Sequence, residues 1–334
     1  VLRPRRFITL ATLALALALA LAGAEACQRR PPEPAPAAER ERQAAATLLP
    51  GPGAAPSATS AFPFPVGSAE PADPNRVRFA VIGDFGVAGP AERAVSELVK
   101  AYRPEFLLTL GDNNYPHGGA DTIDANIGQF YASFIAPYRG KYGPGASENR
   151  FFPALGNHDW YTAEAAPYLD YFTLPGNERY YTFSRGPVDF FAIDSDPSEP
   201  DGVTAASTQA KWLKAQASAA RGAWQIAYMH HPPYSSGPHG PEVDLQWPYR
   251  EWGIDLVLAG HDHTYERFVI GGLTYLVNGL GGNQPYRFKS PVPGSEFRYN
   301  ERHGAQLCEA TPNELRLTFV TVDRARIEEV VLKK

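Results

Sequence analysis

Five short apolar runs in this chain each stop at a cluster of residues able to bind a metal or make hydrogen bonds. In order the clusters are Gly83-Asp84-Phe85-Gly86, Gly111-Asp112-Asn113-Asn114-Tyr115, Gly156-Asn157-His158-Asp159, His230-His231-Pro232-Pro233 and Gly260-His261-Asp262-His263. Apolar runs of this length, bounded by glycine and turn residues, read as buried strands feeding loops. Loops at the C-terminal ends of strands in open α/β sheets are where ligands collect. Glycine ahead of the polar residue gives the backbone freedom to turn sharply there. If the five ends converge, Asp, Asn, Tyr and His side chains meet in one place.

The remaining pattern predicts what surrounds these ends. Strands are expected over Val77 to Gly83, Phe106 to Leu110, Phe151 to Leu155, Gln225 to Met229, Asp255 to Leu258, Leu273 to Val277, Leu315 to Val322 and Ile327 to Leu332. A strand pair, Tyr181 to Ser184 and Val188 to Ile193, flanks Arg185-Gly186-Pro187. Pro90 to Tyr102 carries Ala91, Ala94, Val95 and Leu98 at helical spacing, with Pro90 suited to a first turn. Further helices are expected over about 123–134 and 205–219. Gly271-Gly272 and Gly281-Gly282 read as tight turns between late strands. Helices alternating with strands early, then mostly strands late, give a mixed layered α/β domain.

The N-terminal quarter has a different character. Arg3, Arg5 and Arg6 precede an apolar run from Phe7 to Ala22, and small residues follow, the arrangement of an export signal over residues 1–26. Cys27 stands where a bacterial lipoprotein is lipidated; cleavage to a soluble exported protein and an uncleaved anchor are the alternatives. Residues 27–75, rich in Ala, Pro, Glu, Arg and Ser without periodicity, read as a spacer that buries too little apolar surface to order itself. A catalytic domain is expected over 76–334. The formal net charge of −5, with Lys and Arg scattered, argues against nucleic acid as a partner. Cys308 reads as a small buried hydrophobe.

The donor types point to two metals. Hard oxygen donors with imidazoles suit Fe, Zn or Mn, and the two cysteines of the chain leave no thiolate cluster. A pair of cations about 3.5–4 Å apart is a recurring arrangement for attack on phosphorus. All eight His lie beyond residue 116. His230 and His231 compete for one ligand place, and His230, directly after its strand, is preferred. His117 and His303 read as loop residues, and Tyr265, Glu266 and Arg267 either reach substrate or brace their loop.

The five blocks resemble the signature of the calcineurin-like metallophosphoesterase superfamily over residues 77 to 267. Gly111-Asp112-x-x-Tyr115 and the run His263-Thr264-Tyr265-Glu266-Arg267 make the chain most similar to the purple acid phosphatases. That resemblance implies a four-layer α/β/β/α sandwich. It implies Asp84, Asp112, Tyr115 and His263 around Fe3+, and Asn157, His230 and His261 around Fe2+, Zn2+ or Mn2+, with Asp112 shared. His158 and His239 would stand on the substrate side as proton donors. The implied reaction is hydrolysis of a small phosphate monoester outside the cytoplasm, by in-line attack of a metal-bound hydroxide. A phosphodiesterase of the same superfamily and a non-catalytic, surface-tethered binding protein are the competing readings.

Overall fold

Three parallel strands, β1 (Val77–Ile82), β2 (Phe106–Thr109) and β3 (Phe151–Pro153), run side by side, joined by pairs such as Val81 with Leu108 and Leu108 with Phe152. The computed structural model describes residues 75–334. The expected export segment, and the spacer as far as residue 74, lie outside the described residues. Among the described residues no helix is long and apolar enough to cross a membrane.

The later strands are β4 (Tyr181–Arg185), β5 (Val188–Ala192), β6 (Trp224–Tyr228), β7 (Leu256–Ala259), β8 (Tyr265–Ile270), β9 (Leu273–Asn278), β10 (Ser295–Tyr299), β11 (Gly304–Ala310), β12 (Glu314–Thr321) and β13 (Arg326–Lys333). They complete two sheets, ordered β13-β12-β11-β1-β2-β3 and β10-β8-β9-β7-β6-β5-β4. In the second sheet β5, β6, β7 and β9 are mutually parallel. Four helical segments matter here: α1 (Pro90–Tyr102), α2 (Asn157–Trp160), α3 (Ala166–Tyr171) and α4 (Thr208–Ala219).

The period of two along the strands decides the layering. Phe190, Ile226 and Leu256 face the core shared by both sheets, where Phe79 meets Phe190 edge to face at 5.2 Å. Their neighbours Phe191, Ala227 and Val257 point the other way and pack with Leu213 and Ala217 of α4. Val95, Leu98 and Val99 of α1 cover the outer side of the first sheet. The result is the expected four-layer α/β/β/α sandwich.

Several local expectations needed correction. β8, β10 and β11 stand where no strand was expected. Gly304–Ala310 lacks β-branched residues and is a strand because β1 and β12 pair it on both sides. β10 is a half-exposed edge strand, so its apolar signal is weak. The 123–134 segment is helical but changes pitch twice, from a π turn to an α turn to a 3-10 turn. α4 starts at Thr208 because the Ser207 hydroxyl caps it, accepting from Ala210 N at 3.1 Å. Asn157 and His158 lie in a helical turn rather than a loop: the Asp159 carboxylate reaches back to Gly156 N at 2.9 Å and starts α2. Gly271 and Gly272 turn between β8 and β9, as expected. Gly281 and Gly282 instead let the segment after β9 lie against Gly83 and Phe85, its Gly281 N donating to Gly83 O at 2.9 Å.

Candidate metal centre

The C-terminal ends of β1, β2 and β3 in one sheet and of β6 and β7 in the other open onto the same edge, so the five clusters meet. The turns that bring them there are sharper than glycine alone explains. Asp84, Asp112 and His261 themselves adopt left-handed backbone, with φ of 56°, 52° and 69°. Such geometry costs on the order of 1 kcal/mol or more per non-glycine residue and persists only where the surroundings enforce it. Here they do. His261 N donates to both carboxylate oxygens of Asp84, at 3.1 and 2.9 Å, and His158 N donates to Asp112 Oδ1 at 3.0 Å. The preceding glycines serve close packing. At Gly260 a side chain would strike Asp84 Oδ2 and Leu110 O, each 2.7 Å from the Cβ position; Gly111 alone of the three also needs a positive φ, 84°.

Asp112 sits between two groups of donors. Its Oδ2 accepts the Tyr115 hydroxyl at 2.7 Å, and that hydroxyl lies 3.5 Å from Asp84 Oδ1 and 3.2 Å from His263 Nε2. Its Oδ1 lies 3.3 Å from His230 Nε2. His230 Nε2 in turn is 2.9 Å from Asn157 Oδ1 and 3.1 Å from His261 Nδ1. All seven expected ligand residues are thus brought together, with Asp112 between the two groups.

The ring nitrogens are assigned by carbonyl groups behind them. His230 Nδ1–H donates to Leu110 O at 2.7 Å and His263 Nδ1–H to Gln284 O at 2.8 Å. Each ring therefore turns Nε2 toward the centre. His230 Nε2 then faces an amide oxygen, a carboxylate and a second imidazole nitrogen, all groups able to offer a lone pair to a cation. A cation between them satisfies all at once, so the donor set fits a metal. Asp84, Asp112 and His230 form one compact ligand group and His230, His231 and His261 another.

The electrostatics agree. Burial acts to raise the Asp112 carboxyl, but His230, His158 and the hydrogen bonds of Tyr115 and His158 outweigh it and bring it down to about 2. Burial acts to lower His230, and the Asp112 and Asp84 carboxylates raise it instead. His261 is pushed well down by burial and by the imidazoles of His231, His239, His230 and His263 around it, which keeps a lone pair available. The Tyr115 phenol is pushed well up by burial and by Asp112 and Asp84, so the phenolate requires a compensating positive charge.

The flanking residues separate by role. His158 Nδ1–H donates to Pro116 O at 2.6 Å, and its Nε2 lies 3.9 Å from Asp112 Oδ2, at the edge of the centre. His239 packs against His261 with ring centres 4.2 Å apart and the rings tilted, its loop held by Asp262, which accepts His239 N at 3.1 Å and the Ser235 hydroxyl. His231 Nδ1 is 3.0 Å from Ser195 Oγ, and that oxygen already accepts from His230 N and His231 N. The Ser195 proton therefore goes to His231 Nδ1. Tyr265, Glu266 and Arg267 brace: Glu266 accepts from Ser236 N and Ser295 Oγ, and the other two bind Glu328. His303 binds Asn283 O, and His117 is exposed.

Residues the sequence did not single out include Ser195, Asn113, Gln284 and Tyr286. Asn113 binds Asp159 Oδ2 at 2.8 Å through its side chain, and Tyr286 stacks on His263 at 3.9 Å. Asn113 lies inside a recognised cluster, whereas Gln284 acts through a backbone carbonyl that leaves no trace in residue type.

Residues 77–265 match the calcineurin-like phosphoesterase family. Human (Homo sapiens) tartrate-resistant acid phosphatase type 5 is 24% identical over 289 residues, covering 73% of this chain and 87% of that protein. Purple acid phosphatase 7 of Arabidopsis thaliana is 26% identical, covering 63% of this chain and 71% of that protein. Among solved structures, the purple acid phosphatase PPD1 from yellow lupin (Lupinus luteus) seeds is similar with a TM-score of 0.62 at 18% identity, over 81% of this chain and 55% of that one. The Plasmodium inner membrane complex anchor GAP50 also gives 0.62, at 20% identity, over 77% of this chain and 89% of that one. The structural likenesses speak to the fold.

Proposed function

This chain belongs to the calcineurin-like phosphoesterase family, as a metal-dependent phosphoesterase, and from that premise we propose that it hydrolyses small phosphate monoesters outside the cytoplasm. The observation that carries the reading is Asp112, whose two oxygens face two separate donor groups. Asp84, Asp112, Tyr115 and His263 would hold Fe3+; Asn157, His230, His261 and again Asp112 would hold Fe2+, Zn2+ or Mn2+. When bound, such a pair supplies Lewis acidity that offsets the charge of the ester oxygens and makes water easier to deprotonate.

The chain's own residues supply the rest. Carbonyls of Leu110 and Gln284 fix the rings of His230 and His263, so the ligand atoms need no reorientation. His158, anchored through Nδ1 to Pro116 O, offers Nε2 for a proton that can pass to the departing alkoxide. His239, carried on the loop that Asp262 holds, is the second donor. The domain over 76–334 carries this activity, and the N-terminal segment exports it or, through Cys27, tethers it to a membrane.

The deciding assay compares an aryl phosphate with a bis-aryl phosphate, alongside the metal content. A faster rate on the diester would move the assignment to a phosphodiesterase, and metal without hydrolysis of either ester would make the protein a binder. Mass spectrometry of the mature N-terminus checks the tether.

A further inference from the structure

The mouth of the centre is marked by the residues that keep a trace of exposure, among them Asn157 at 8% and His158 at 7%. Beyond them stands Tyr161 at 36%, one of three large apolar side chains exposed among the described residues. Rings run outward in a row: Tyr115 to His158 at 4.3 Å, His158 to Tyr161 at 4.9 Å, and Tyr161 to His117 at 6.2 Å. Pro116 and His117 are also exposed and lie on the loop after β2.

This lip is held in place rather than free to fold away. Asn157 Nδ2 donates to the Tyr161 hydroxyl at 2.7 Å, which fixes the ring from the metal side. His158 Nδ1–H ties Pro116 O, and the Thr162 hydroxyl ties His117 O. Gly118, at φ 65°, lets the two segments touch; a side chain there would meet His158 O 2.6 Å from its Cβ position. An exposed aromatic ring already immobilised next to a reacting centre loses little entropy when a partner stacks on it.

We propose that Tyr161, flanked by Pro116 and His117, forms the leaving-group subsite and favours monoesters whose leaving group is an aromatic ring. The inference rests on the monoesterase reading of the same centre. The ring's position follows from its place in the row: His158 lies between it and Tyr115, so a leaving group protonated by His158 departs along the Tyr161 side.

The test uses the full metal-loaded chain, with phenylphosphonate and methylphosphonate binding measured by calorimetry and kcat/KM measured on phenyl phosphate and glycerol 2-phosphate. Wild type is expected to bind the phenyl compound about tenfold tighter. Tyr161→Phe should keep that preference, and Tyr161→Ala should abolish it, with the loss on phenyl phosphate appearing mainly in KM. Equal binding of the two phosphonates by wild type, or a preference that survives Tyr161→Ala, would overturn the subsite. So would an equal loss in both variants, which would reduce Tyr161 to a support for Asn157. Wild type that distinguishes the phosphonates but hydrolyses neither ester would remove the monoesterase reading and keep the ring subsite.

Discussion

Asp112 Oδ1 lies 3.3 Å from His230 Nε2, joining the end of β2 in one sheet to the end of β6 in the other. A carboxylate and an imidazole from separate layers are held this close because each is fixed from behind, Asp112 by His158 N and His230 by Leu110 O. Removing the carboxylate therefore affects both donor groups. Asp112→Ala is expected to lose more than about a hundredfold in kcat, exceeding what loss of a supporting residue costs, and to fall in both metals by elemental analysis. Retention of two metals per chain would contradict the shared role.

Tyr115→Phe keeps the ring packed on His158 and deletes the oxygen that faces Asp112, Asp84 and His263. Iron-loaded wild type should show a broad visible band that the variant lacks, with far-UV circular dichroism unchanged. The same band in both proteins would place another ligand on the iron.

His158→Ala and His239→Ala test the two proposed proton donors. A donor matters most when the leaving group is a poor one, so the losses should be larger on an alkyl than on a nitrophenyl phosphate. A residue that protonates the alkoxide is worth roughly 10²–10⁴-fold on the alkyl ester. Losses independent of the leaving group would assign that His to binding.

Glu92 offers a stability test away from the centre. Its Oε2 accepts from Val87 N and Ala88 N, and burial raises its carboxyl from 4.5 to about 9. The folded protein thus keeps a proton that the unfolded chain releases. That stability is full below pH 4.5 and is lost as pH rises through 9, at up to about 1.4 kcal/mol per pH unit. Glu92→Gln still accepts both N–H groups and has no charge to release. Urea unfolding should show the variant gaining on wild type from pH 5 to pH 8; a gap that stays constant with pH would refute the linkage.

Asp159→Ala removes the acceptor of Gly156 N, Asn113 N and Asn113 Nδ2. Leaving such groups unpaired in the interior costs about 1–3 kcal/mol. Because α2 also carries Asn157, the affinity for the second metal should drop about tenfold or more, measured by chelator competition. Wild-type metal affinity would detach α2 from the site.

The centre was legible because its chemistry is concentrated in short blocks whose residue types are costly to place anywhere else. Asp84, Asp112 and His261 announce themselves by type. The conformation that aims them does not: the sequence suggests that glycine makes each turn, whereas the left-handed backbone falls on the following Asp or His, enforced by contacts from distant elements. Gln284 and Leu110 act through carbonyls, so any residue could have stood there. The four-layer arrangement followed from family likeness, and β11 escaped notice because its residues become a strand only when β1 and β12 enclose them.

That enclosure has a consequence for biosynthesis. Val77 pairs with Ala310, so the strand that delivers Asp84 gains its second neighbour only once the far-downstream β11 has been made. The five clusters therefore reach their final places only after β11 has emerged, which makes the closing of this edge a late event in folding.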